Sequence, residues 1–228
     1  MRAKRPEARA DWALRGLTAR GAIDRTTKAL LLRQLYLSHF VTGHFERAYE
    51  ISCQAVGLGV LEDVVHQDAA RAKQAAGDID GAIGHLRLAT RRAPPSRRAF
   101  HWWTLGSLLF VADRHPEAID AFARAARWGT TDKPLYQGHL ALAKCESGLK
   151  VRGLPALIER LRDCPAGQGY GRFVLGQLSF HSERFGDAAR YLDAFVERTT
   201  RGHDATAIAL AGELEMARRT LSQIRPAS

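Results

Sequence analysis

Nine histidines and three cysteines are the side chains of this 228-residue sequence best equipped for chemistry, and their spacing decides what they could do. Zinc hydrolysis calls for paired histidines one helical turn apart with a glutamate between them, and no H-E-x-x-H run occurs. His39 and His44 straddle an expected turn and His181 lies two residues before Glu183, placements that turn and surface polarity explain. Cys53, Cys145 and Cys164 are odd in number, far apart and without a C-x-x-C pair. Neither a disulfide framework nor a zinc knuckle follows, and each lies in an apolar helical pattern where cysteine serves as a small hydrophobe. The glycine pairs Gly57/Gly59 and Gly167/Gly169/Gly171 follow no strand and lack the lysine and hydroxyl of a phosphate loop. Glu62 and Asp63 fall where a turn is expected. The sequence therefore predicts no catalytic residue, no metal site and no cofactor.

What remains is suited to contact. The formal net charge is +10, and with six lysines among 34 basic residues the excess is arginine, which makes an acidic partner plausible. Hydrophobic residues make up 46% of the chain, enough for a substantial core. No stretch approaches the ~18 apolar residues of a membrane helix, and Met1 to Arg20 carries charges throughout, so the expectation is a cytoplasmic protein.

Positioning such contacts is the task of the elements, and these repeat with a period of about 34 residues from Ala29 to Gly202. The clearest unit spans 99–132, where Trp102, Leu105, Gly106 and Leu109 are followed by Ala118, Phe122 and Ala125. This spacing resembles the tetratricopeptide repeat (TPR) at nearly every signature position, lacking only the late proline, where Thr130 stands. Units 63–96 (Ala70, Gly77, Ala82, Leu86, Pro94) and 169–202 (Leu175, Gly176, Phe185, Ala188, Leu192) follow the same plan. Unit 29–62 departs at Tyr36, too large for the small-residue position, and at Ser52, which replaces an apolar residue. Unit 133–168 is degenerate, with a longer internal turn expected around Leu149 to Gly153. A helix over Pro6 to Ala19, using Trp12 and Leu17 to pack, is predicted within the extension 1–28, with Asp24 as N-cap of the next helix. The segment 203–228 is predicted to hold a capping helix. The resemblance implies an all-α fold: a right-handed α-solenoid of about five helix-turn-helix repeats between an N-terminal helix and a C-terminal cap.

In a right-handed stack of this kind the first helix of each unit lines a concave groove, so residues off the inter-helix contact become candidate partner-binding positions. These are Arg33, Leu37 and Phe40 in the first unit, and Gln67, Arg71 and Gln74 in the second. Phe100, Trp103, Ser107 and Phe110 come from the third, His139 or Leu142 from the fourth, and Phe173, Gln177 and Phe180 from the fifth. Adjacent helical residues point about 100° apart, so Trp102 is expected in the core and Trp103 in the groove. The alternative is that Trp103, Phe110 and Phe180 pack between neighbouring first helices. Members of the family that grip a C-terminal carboxylate use paired asparagines, and this chain has no asparagine. The reading is an adaptor or scaffold that is not an enzyme, whose partner is another protein: an apolar segment with an acidic flank, or a folded domain. The competing reading is nucleic-acid binding through Arg91, Arg92, Arg97 and Arg98 around Pro94 and Pro95, a cluster that solvated loop also explains.

Overall fold

The computed structural model describes residues 6–19, 21–202 and 204–225, and among these the regular structure is wholly helical. Two compact units part between Pro94 and Pro95. The first holds α1 (Pro6–Thr18), α2 (Arg25–Val41), α3 (Phe45–Val56), α4 (Glu62–Ala75) and α5 (Ile79–Arg92). The second holds α6 (Pro95–Val111), α7 (His115–Trp128), α8 (Lys133–Glu146), α9 (Leu154–Arg162), α10 (Gly171–His181), α11 (Phe185–Thr200), α12 (Asp204–Ala209) and α13 (Ala211–Ile224). A single 3-10 turn, Pro165–Gln168, precedes α10. Among the described residues no helix is long and apolar enough to cross a membrane, and no group of three or more metal-ligating side chains gathers.

Local chemistry sets the boundaries. Asp24 caps α2 by accepting from Thr27 N at 3.0 Å, and Asp78 caps α5 by accepting from Gly81 N at 2.9 Å. Proline occupies the first turn of α7, α8 and α9, where a missing N–H costs nothing.

Neighbouring helices pair as antiparallel hairpins joined by one recurring turn. Two residues past α2, α4, α6, α8 and α10 the backbone turns left-handed, at Gly43, Gly77, Asp113, Gly148 and Glu183. The following N–H bonds back five residues at 2.9 Å in every case: His44 to His39, Asp78 to Lys73, Arg114 to Leu109, Leu149 to Lys144 and Arg184 to Ser179. This is the Schellman closure, which satisfies carbonyls that a helix end leaves bare. Phe40 with Phe45, Phe110 with His115 and Phe180 with Phe185 brace three of these turns, their ring centroids 5.6 to 5.7 Å apart.

In the α6–α7 and α10–α11 hairpins a small residue on the first helix faces a large one on the second. A Cβ added at Gly106 would sit 2.7 Å from the Phe122 ring, and one at Gly176 would sit 2.5 Å from Leu192. Gly106 therefore abuts Phe122. At the corresponding positions of the α2–α3 hairpin the sizes are exchanged: Tyr36 and Ser52, both buried. The α1 helix docks on α2 through Ala13 and Gly16, which lies against Leu31, while Trp12 is 63% exposed and does not pack as expected. The cap is two helices, α12 and α13, rather than one, and His203 lies outside the described residues.

Candidate functional site

In the second unit α6, α8 and α10 carry a continuous aromatic track. Phe100 lies 5.8 Å from Trp103, which lies 6.1 Å from Tyr136, 5.8 Å from His139 and 5.2 Å from Tyr170; Tyr170 lies 6.1 Å from Phe173. The track is open at one end and covered at the other.

At the open end a cavity of about 300 Å³ is lined by Ser96, Ala99, Phe100, Trp128, Tyr136 and the α7–α8 connection Gly129–Asp132, with Pro95 at its edge. Gly129 keeps this connection tight, since a Cβ there would meet the Tyr136 ring at 2.5 Å. Phe100 is 37% and Trp128 51% exposed, both large apolar surfaces left to solvent beside one cavity. The Arg98 and Arg127 guanidinium groups lie 5.4 and 5.7 Å from the Trp128 ring. Burial, with the Asp132 charge nearby, pushes the Tyr136 phenol up to about 12, so it stays a neutral donor.

At the covered end a chain of hydrogen bonds crosses four helices. Trp103 Nε1 donates to His139 Nδ1 at 3.0 Å, His139 Nε2 lies 3.3 Å from Tyr170 Oη, and Tyr170 Oη donates to Glu213 Oε1 at 2.9 Å. Tryptophan can only donate, so His139 accepts at Nδ1, carries its proton on Nε2 and donates to Tyr170, which in turn donates to Glu213. Burial pushes His139 down to about 3, which keeps it neutral and fit for this role. Burial also raises Glu213 to about 7, the hydrogen bond from Tyr170 opposing only in part. Glu213 Oε2 and Gln177 Nε2 are buried without a hydrogen-bond partner, an arrangement that costs free energy.

Glu213 belongs to α13, which is seated on this end of the track. A Cβ on Gly212 would approach Val111 of α6 to 2.9 Å, Thr220 donates to Gln177 Oε1 of α10 at 3.0 Å, and Arg225 pairs with Asp193 of α11 at 2.8 Å. Leu214 and Ala217 of α13 are themselves buried.

The candidate groove residues therefore scatter. Phe40, Phe110, Phe173 and Gln177 are buried, and the reason is geometric: Phe40 and Phe110 brace turns, Phe173 packs 5.4 Å from Phe195, and Gln177 lies under α13. Phe180, half-buried, braces the α10–α11 turn. Trp102 and Trp103 are both half-buried against Ala99, Ala125, Ala126 and Tyr136, because α6 is flanked by α7 on one side and α8 on the other. The expected division between a core tryptophan and a groove tryptophan does not hold; Trp103 belongs to the buried chain. Ser107 abuts Tyr170. Phe100 alone of the aromatic candidates is exposed. Sequence reasoning passed over Tyr136, Tyr170, Trp128 and Glu213; the acid among small residues in Ala211-Gly212-Glu213-Leu214 was the available signal.

In the first unit Arg33 and Arg71 stay half-exposed and Leu37 is half-buried, but Arg33 is engaged by buried Asp68 through both Nε and Nη2, the latter at 3.3 Å. Burial raises Asp68 despite this pairing, while Arg71 acts on it through space. Elsewhere His66 Nδ1 lies 3.0 Å from His85 Nδ1, and His85 Nε2 lies 3.3 Å from Tyr49 Oη. Burial lowers both histidines. Comparison with protein-family models and with curated proteins finds no match for the chain.

Proposed function

We propose that the chain is a TPR-like adaptor, a right-handed helical repeat that holds a segment of another protein against the first-helix track of its second unit. The observation that carries this reading is the open aromatic end: Phe100 and Trp128 stand exposed on one cavity of about 300 Å³, large enough for a side chain and too small for a folded domain. The partner segment brings an apolar anchor for Phe100, Trp128 and Tyr136, followed by acidic residues for Arg98 and Arg127. The reading is of a cytoplasmic binding protein, not an enzyme, that works without a cofactor.

A second reading, single-stranded nucleic acid, is favoured by one feature, the two guanidinium groups beside an exposed tryptophan. The test is capture by the purified protein from lysate, with Phe100→Ala and Trp128→Ala beside the parent. The adaptor reading expects each variant to keep the parental melting temperature and to lose one specific protein. Loss of captured RNA instead, with affinity falling steeply between 50 and 200 mM salt, would move the assignment to the second reading.

A further inference from the structure

The covered end of the track already holds a helix. Helix α13 lies along α11 and reaches the track at Gly212 against Val111 of α6, Glu213 on Tyr170 at the N-cap of α10 and Thr220 on Gln177 of α10, with Leu214 and Ala217 buried. Glu213, Ala217 and Thr220, spaced four and three residues apart, form one stripe of the helix, with Gly212 and Leu214 on its two flanks.

Two features of this seat bear on its exchange for another helix. Its interface buries a carboxyl oxygen and an amide nitrogen that find no partner, so part of the groove's polar capacity goes unused. Among the described residues α12 is the regular structure between α11 and α13, and it buries none of its residues.

We propose that α13 is a built-in occupant of the groove, displaced by an amphipathic partner helix carrying the same stripe, with an acceptor to meet Tyr170 and a polar side chain to meet Gln177. This inference rests on the adaptor reading and names its ligand class: a helix, gripped at the covered end, whose sequence copies 211–224 in pattern. The cis helix competes through its high effective concentration, so the partner binds only when its own stripe supplies what α13 leaves unmet.

The probe is a labelled synthetic peptide of residues 204–225 added to the full-length chain and to the full-length double variant Glu213→Ala/Leu214→Ala. The parent is expected to bind the peptide at least tenfold more weakly than the variant, and a peptide carrying Glu213→Lys is expected to bind neither. Hydrogen exchange on the same variant is expected to lose protection over 211–224 while α6 to α11 keep theirs. Three results would overturn the proposal: equal binding to parent and variant, protection lost through α10 and α11 as well, or a variant that takes up α13 only from a second copy as a stable dimer. If the peptide fails while capture at Phe100 and Trp128 persists, the self-occupancy idea falls and the adaptor reading stands.

Discussion

Replacing Glu213 by glutamine isolates the charge of the buried carboxyl from its shape. The amide can still accept from Tyr170 but has no proton to lose. In the native chain Glu213 titrates near 7, against 4.5 as the ordinary value, so its contribution is whole below pH 4.5 and is lost as pH rises through 7. Integrated from pH 5 to pH 8, that linkage is worth about 2 to 3 kcal/mol of stability. His139 acts in the opposite sense: held near 3 against 6.5, its contribution is whole above 6.5 and is lost as pH falls, by about 2 kcal/mol over the same interval. The two nearly cancel, so this pair should leave the parent almost flat between pH 5 and 8, while Glu213→Gln should gain about 2 kcal/mol on going from pH 5 to 8. The lowered His66 and His85 add the same slope to both proteins and drop out of the difference. Urea denaturation followed by circular dichroism at pH 5, 6, 7 and 8 gives the numbers. A parent-minus-variant difference that stays constant across that range would refute a buried, proton-binding Glu213.

Two further expectations concern the hairpins. Asp113 holds a left-handed conformation that costs a side-chain-bearing residue about 1 kcal/mol, so Asp113→Gly should raise stability by up to about 1 kcal/mol, while Gly77→Ala should lower it; melting temperatures report both. Tyr36→Ala alone should open a cavity costing about 3 to 5 kcal/mol and Ser52→Leu alone should overpack by about 1 to 3 kcal/mol. Combined, they copy the Ala70/Leu86 pair of the next hairpin, and a double-mutant cycle should show at least 1 kcal/mol of favourable coupling; simple additivity would mean the two residues do not share one space.

Helix positions were legible because apolar spacing and turn glycines are local signals, and Asp24 was readable as a cap for the same reason. Tyr36 and Ser52 looked like two departures from the pattern because each was weighed alone; together they are one exchange of sizes across a helix pair. The aromatic candidates misled for a related reason. Spacing shows that Phe40, Phe110 and Phe180 share a register, but it does not distinguish a groove from the brace of a turn, and each has a ring or imidazole five residues on. The covered end was out of reach because Trp103, His139, Tyr170 and Glu213 are spread over more than a hundred residues, and only folding brings them into line.

The direction of that line has a consequence for selectivity. An indole has a proton to give and no lone pair in the ring plane to receive one, so every bond from Trp103 outward must point the same way. Whatever stands at the far end, Glu213 or a replacement, is therefore offered a hydrogen and never asked for one. A ligand presenting an ammonium or an amide N–H at that point would face a donor with a donor. Reversing the bonds to welcome it would leave the Trp103 N–H pointing at a protonated imidazole nitrogen. On the proposal that a partner helix replaces α13, Trp103 sets the polarity that the residue opposite Tyr170 must match, without touching it and without carrying charge.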